Sequence, residues 1–251
     1  MTAVRAVLFD VGGTLAEEPE TGLGARLARA LGLGPTDAAR VDGFVLSQSF
    51  SSAGDLAERL RTELGRDDEL GPVVREEWDA ERDAYVEIRD ARTCVAALAN
   101  AGAKVGVVAN LSNAGGEGFR VGCPGVVPYV ESWTLSCEHG VPKPDPTIFA
   151  AALATLGVPA ASALIVGDSL EHDVVPALAL GMGAIWLRRG DPGSAHVVTV
   201  DPHGSSFPVA AGIVPEGVQV ARTLSDARRM ALTWLWAARG AGRGLTGPLV
   251  L

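Results

Sequence analysis

The sequence predicts an α/β fold, a three-layer protein with a mostly parallel sheet and a small all-helical insert after the first strand. Three observations carry this. Short β-branched runs halt at polar residues, as in "AVLFD", "AKVGVVAN" and "ALIVGD". From the second strand onward these runs alternate with helical patterns, which is the signature of parallel sheets with helices on both faces. Between the first and second runs lies a long stretch with helical periodicity alone.

Residues 4–9 form the first apolar run, closed by Asp10 and the glycines at 12 and 13, and read as a buried mid-sheet strand ending in a functional loop. Between Thr21 and Tyr85, Leu23, Leu27, Ala30 and Leu31, and then Leu56, Leu60 and Leu64, recur three or four residues apart, as on one helix face. Gly32 to Pro35 and Gly71-Pro72 punctuate this stretch. Residues 94–101 read as a helix stopped by Gly102, and 103–110 as the second strand. Next come a helix over 147–156, a strand over 163–168, a helix over 174–180 and a strand over 181–187. Residues 188–217, rich in Gly, Pro and Ser, read as loops with room for a hairpin. "VQVAR" is the last strand and 224–238 a closing helix, in which Trp234 and Trp236 read as packing groups. The end, "RGAGRGLTGPLVL", reads as a tail.

Bulk properties narrow the function. A chain of 251 residues that is 47% hydrophobic and 20% charged can bury a sizeable core. A net charge of -9 without a Lys/Arg run argues against nucleic acid or an anionic membrane as partner and leaves small molecules. The start "MTAVRAVLFDVGG" lacks the h-region of a signal peptide, and no apolar run reaches the length of a membrane span. Cys94, Cys123 and Cys137 are scattered and odd in number, which fits neither a disulfide framework nor a zinc site. A cytoplasmic protein is expected.

Parallel sheets gather their functional groups outside the carboxyl ends of the strands. Asp10, Asn110 and Asp168 each follow a predicted strand, Asp173 lies five residues beyond Asp168, and Lys143 sits in the loop "GVPKPDP". Converging carboxylates repel one another unless a hard cation neutralises them, and oxygen-only ligation suits Mg²⁺. A lysine beside them offsets charge on a carboxylate and on a transferring group.

The ordered strings "FDVGGTL", "VVANLS", "GVPKPDPTIF" and "VGDSLEHDVVPALALGM" resemble the four motifs of the haloacid dehalogenase (HAD)-like hydrolase superfamily, over residues 4–187. The resemblance implies a Rossmann-like core of residues 1–15 and 90–251, and a type-one helical cap of residues 16–89. It implies a Mg²⁺-dependent phosphatase acting on a small phosphorylated metabolite, with Asp10 as nucleophile forming an aspartyl-phosphate. Asp10, Asp168, Asp173 and the backbone carbonyl of Gly12 would make up the Mg²⁺ site, with Asp173 orienting Lys143 or a metal-bound water. Lys143 would hold Asp10 and the phosphoryl group, while Asn110, Ala109, Gly12, Gly13 and Thr14 would line the phosphate site. The alternatives are a 2-haloacid dehalogenase, a phosphotransferase or mutase, and a binding protein without turnover.

Two positions depart from the family pattern. Phosphatases of this superfamily usually carry a second Asp where this chain has Gly12, and a hydroxyl residue where it has Ala109. Losing a positioned general acid typically costs ~10² to 10⁴ in rate, which points to an anomeric or acyl phosphate whose leaving group needs little protonation. Ser112 or Asn113 is expected to stand in for the missing hydroxyl. Glu17 and Glu18 read as a solvated flap, His172 as a helix-start residue and His139 as a loop residue. The cap sequence carries no signature of one particular phosphate ester.

Overall fold

The computed structural model describes residues 4–189, 197–200, 206–209 and 218–240; for 197–200, 206–209 and 236–240 it describes the backbone alone. Strand β1 (Ala6–Phe9) is completely buried. After it the chain turns tightly, Leu15 and Ala16 N–H both donating to the Val11 carbonyl, into β2 (Ala16–Glu17). Four helices follow: α1 (Leu23–Ala30), α2 (Pro35–Ser47), α3 (Ala53–Leu64) and α4 (Gly71–Arg82). Strand β3 (Val86–Glu87) then pairs antiparallel with β2, so a two-stranded ribbon brackets the helices.

The rest of the chain returns to strand and helix in alternation. It runs through α5 (Ala91–Asn100), β4 (Lys104–Ala109), α6 (Asn113–Gly122), β5 (Ser132–Leu135), α7 (Ser136–His139), α8 (Pro146–Leu156) and β6 (Ala163–Gly167). One π-helical turn, Leu170–Val174, leads into α9 (Val175–Ala179), followed by β7 (Gly183–Leu187). An antiparallel pair, β8 (Val197–Val200) and β9 (Ser206–Val209), stands apart from the main sheet, and β10 (Val218–Ala221) and α10 (Leu224–Gly240) follow. Of the loop and tail expectations, residues 190–196, 201–205, 210–217 and 241–251 lie outside the described residues.

The main sheet has the order β10-β7-β6-β1-β4-β5, and every pairing in it is parallel. Strand β1 is central, as its continuous apolar run requires. Its side chains alternate between two cores. Val7 and Phe9 join the cluster built with α5, α6 and α10, while Ala6 and Leu8 join the cluster built with α8 and α9. The fold is therefore the expected three-layer, Rossmann-like α/β architecture. Trp234 packs in the first cluster, against Gly183, where an added Cβ would lie 2.2 Å from the indole; the Trp236 side chain lies outside the described residues.

Helices α1–α4 bury their leucines in a third cluster, around Leu27, Leu56, Leu60 and Trp78. Arg26 fastens α1 to α4: its Nε and Nη1 donate to Glu77 and Glu81, both at 2.8 Å. The bundle sits over the carboxyl ends of the strands. There α2 packs on α7, Ala114 of α6 joins the bundle's own cluster, and Phe50 N–H donates to Asn113 Oδ1 at 2.7 Å.

Helix α6 and strand β5 were not foreseen in the sequence. "NAGGEGFRVG" carries four glycines, each costing roughly 1 kcal/mol in a helix relative to Ala. Tertiary packing explains why a helix forms there. A Cβ at Gly122 would fall 2.1 Å from the Tyr85 carbonyl oxygen, and one at Gly118 2.6 Å from that of Arg82. The glycine face is what admits the end of α4 so close.

Candidate active site

Three strand ends and one loop converge at the carboxyl edge of the sheet. Asp10 leaves β1 with its N–H donating to the Val166 carbonyl (3.0 Å), which sets it between β1 and β6. Asp168 follows β6, and its carbonyl accepts from Trp186 Nε1 at 2.9 Å. Lys143 arrives on the loop between α7 and α8. Asn110, beyond β4, grips that loop at both ends of its amide: Lys143 N–H donates to Asn110 Oδ1 (2.7 Å) and Asn110 Nδ2 donates to the Lys143 carbonyl (2.8 Å).

From this anchored backbone the Lys143 ammonium donates to Asp10 Oδ1 and to Asp173 Oδ1, each at 2.6 Å. The other Asp173 oxygen accepts from Ser169 N–H at 3.0 Å, at the start of the π turn. Both carboxylate oxygens of Asp173 are thus engaged, and its role in this geometry is to hold the lysine. Oxygens of Asp10, Asp168 and Asp173 lie within 4.8 Å of one another.

The charges are unbalanced. Burial favours neutral Lys143, but Asp10 and Asp173 outweigh it and hold the ammonium above the ordinary lysine range. Burial, only partly offset by Lys143, pushes the Asp173 carboxyl up to about 6. Asp168 opens to solvent through the cleft, yet burial of its carboxyl and repulsion from Asp10 and Asp173 push it up to about 7. Glu18 is likewise an exposed residue with an inward-turned carboxyl, which burial and then Asp10, Glu81 and Asp168 push up to about 7. Four carboxyls thus face one lysine. An all-oxygen donor set with excess negative charge fits a hard divalent cation such as Mg²⁺.

The cleft holds about 180 Å³. Asp10, Gly12, Ala109, Asn110, Lys143, Asp168 and Asp173 line it, together with Leu111, Ser169, His172 and Glu18. Gly13 adopts a left-handed conformation (φ 65°), and a Cβ there would lie 2.0 Å from Asp168 Oδ2, so only glycine leaves that carboxylate in place. Thr14 is fully buried and does not line the cleft; its hydroxyl has no hydrogen-bond partner among the described residues.

The stand-ins expected for the hydroxyl absent at Ala109 are not in place. Ser112 Oγ caps α6, accepting from Gly115 N–H (3.0 Å), and Asn113 faces Ser49 and Phe50 in the helical bundle. His172 reaches the cleft with Nδ1 against Ser169 Oγ (3.1 Å), whereas His139 does not line it. The two flap glutamates part company. Glu17 points outward to Arg189 at 3.0 Å, while the Glu18 carboxylate lies against Gly12: a Cβ at position 12 would sit 2.0 to 2.2 Å from its three atoms. Glu18 therefore departs from the solvated-flap expectation.

A family model described as haloacid dehalogenase-like hydrolase matches residues 4–181. The chain is 38% identical to haloacid dehalogenase-like hydrolase domain-containing protein 3 of Danio rerio over 96 residues, which are 38% of this chain and 39% of that protein. It is 43% identical to a phosphoserine phosphatase of Thermus thermophilus over 56 residues, 22% of each chain. These matches therefore span well under half of either relative. Among solved structures, a 2-haloacid dehalogenase from Pseudomonas syringae superposes with a TM-score of 0.62 at 22% identity, covering 92% of this chain and 99% of that one. At that identity the likeness is one of fold.

Proposed function

This chain belongs to the haloacid dehalogenase-like hydrolase family, and from that membership and the geometry of the cleft we propose that it is a Mg²⁺-dependent phosphatase of small phosphorylated metabolites, working in the cytoplasm. The observation that carries the reading is the Lys143 ammonium held 2.6 Å from both Asp10 and Asp173, inside a cleft that also contains the Asp168 carboxyl. The phosphoserine phosphatase name of the Thermus thermophilus relative supports phosphoryl chemistry.

Lys143 occupies Asp10 Oδ1, so the second oxygen of Asp10 is the one that attacks phosphorus, displacing the ester oxygen and giving an aspartyl-phosphate. Asp173 and the Asn110 clamp hold the lysine where it offsets charge on the nucleophile and on the transferring group. Asp10, Asp168 and the Gly12 carbonyl would hold the cation. When bound, magnesium neutralises phosphoryl charge that these carboxylates would otherwise repel. A cleft of about 180 Å³ is small for a ligand site and suits a phosphate on a short metabolite. Residues 16–89 then act as the cap over a core of residues 1–15 and 90–251, excluding water and choosing the substrate.

A dehalogenase needs no metal and takes an anionic haloacid. In this cleft that anion would meet the Asp168 and Glu18 carboxyls with Lys143 alone to offset them, which favours phosphoryl transfer. The test is phosphate release from a panel of esters with and without Mg²⁺. The expected result is activity lost on chelation and in Asp10→Asn. Halide release that survives EDTA would establish the dehalogenase instead, and an Asp10→Asn variant with unchanged activity would remove the nucleophile.

A further inference from the structure

Position 12 lacks the side chain that would carry protons for the reaction at Asp10, yet the space it would need is filled. A Cβ built on Gly12 meets Glu18 Oε1 at 2.0 Å, its Cδ at 2.1 Å and Oε2 at 2.2 Å. A side chain reaching inward from residue 12 and the Glu18 carboxylate therefore claim one volume. The sequence separation is bridged by the turn at Val11, which brings Gly12 into a bridge with Ala16 at the start of β2. Alternation along the extended chain does the rest: Glu17 faces out to Arg189, and Glu18 faces the cleft.

Glu18 has no competing structural duty. Among the described residues it makes no ion pair and no side-chain hydrogen bond, whereas Asp10 and Asp173 are held by Lys143. It also stands outside the three-carboxylate group of Asp10, Asp168 and Asp173. Of the remaining proton-carrying side chains at the cleft, Asp168 belongs to that three-carboxylate group and His172 is tied through Nδ1 to Ser169 Oγ.

We propose that Glu18 is the general acid and base of this enzyme, its carboxyl reaching from the flap into the place left open by Gly12. The proposal rests on the phosphatase reading above. As Asp10 attacks phosphorus and the P–O ester bond breaks, the bond's electron pair stays on the leaving oxygen, which takes the Glu18 proton and departs as an alcohol. The Glu18 carboxylate then takes a proton from water, whose oxygen attacks phosphorus. The bond to Asp10 breaks, inorganic phosphate leaves, and Glu18 is again protonated. With an acid in place, alkyl esters become acceptable beside anomeric or acyl phosphates, which removes the restriction that Gly12 alone suggests.

The test uses the full chain loaded with Mg²⁺ and compares wild type with Glu18→Gln, Glu18→Asp, Glu17→Gln and Asp10→Asn, on 4-nitrophenyl phosphate and a series of alkyl phosphates. Glu18→Gln is expected to lower turnover of alkyl esters roughly 10² to 10³-fold. With 4-nitrophenyl phosphate, whose leaving group needs little protonation, it should release one equivalent of nitrophenol in a burst and then stall. The mass of the quenched protein should show a trapped phosphoryl adduct. Glu18→Asp should keep part of the activity and Glu17→Gln all of it. Glu18→Gln within threefold of wild type on every ester, without an adduct, while Asp10→Asn is dead, would overturn the role of Glu18 alone. Full activity in Asp10→Asn would overturn the nucleophile and this proposal with it.

Discussion

Lys143→Met retains the aliphatic stem of the buried lysine and removes the one ammonium at the centre of the site. In the native protein that ammonium lies 2.6 Å from two carboxylates, with side-chain exposures of 3% for Lys143, 11% for Asp10 and 1% for Asp173. Removing one partner of a buried pair leaves an uncompensated charge at a cost of about 3–5 kcal/mol. For a domain of this size 1 kcal/mol shifts Tm by roughly 2–4 °C, so the expected loss is ~6–20 °C at pH 8. The loss depends on pH. Asp173 already sits up to about 6 with the lysine present, and it rises further without it. A raised carboxyl binds a proton in the folded state while the unfolded chain has lost it. Stability of the variant therefore falls as pH rises from the ordinary carboxylate range through the raised value, at up to ~1.4 kcal/mol per pH unit. Thermal melts without divalent cations should show a smaller gap from wild type at pH 5.5 than at pH 8. In the Lys143→Met/Asp173→Asn double variant the loss should be smaller than the sum of the single losses. Turnover of a phosphate ester should drop by roughly 10² to 10³. A Lys143→Met protein that melts within 2 °C of wild type at pH 8, on an instrument resolving ~0.5 °C, would refute the claim that this lysine neutralises the site.

Mg²⁺ should raise the Tm of the wild type more at pH 8 than at pH 5.5, because the Asp168 carboxyl, pushed up to about 7, must lose its proton as the cation binds; Asp168→Asn should abolish most of the shift. Gly13→Ala places a Cβ 2.0 Å from Asp168 Oδ2 at a φ of 65°, so Mg²⁺ affinity measured by titration calorimetry should weaken at least about tenfold, with a backbone cost of ~1–2 kcal/mol seen in denaturant melts. Cys94, Cys123 and Cys137 are buried, and burial pushes their thiols up to about 12, 12 and 11, so a thiol reagent at pH 8 should label none of them until denaturant is added.

Where local pattern and tertiary packing agree, the fold was legible. Residues 6–9 are apolar on both faces because both faces are covered, and a continuous run of that kind has few readings other than a central strand. The leucine spacing in α1 and α3 likewise matches the buried positions of the bundle. Helix α6 failed for the opposite reason. Its glycines lower helix propensity, and their use is visible only once Arg82 and Tyr85 are seen pressing against them. The short strand β5 pairs with β4 on one side only and is four residues long, too brief for a period-two signal to stand out.

The site divides along the same line. Asp10 and Asp168 are strand-end residues, so placing the strands places them, and Lys143 stands in a loop whose own motif is specific. Glu18 has no such marker. It lies just past a two-residue strand, beside a second glutamate of identical chemistry, and a shift of one residue exchanges which of Glu17 and Glu18 faces the cleft. The pairing of Ala16 and Glu17 with Glu87 and Val86 fixes that register, and those partners arrive only after the whole helical insert. The missing carboxyl at Gly12 and the present one at Glu18 are thus one feature seen from two positions. A glycine at 12 leaves room for the flap glutamate, and Gly12→Asp in the intact chain would set two carboxyls in the same volume.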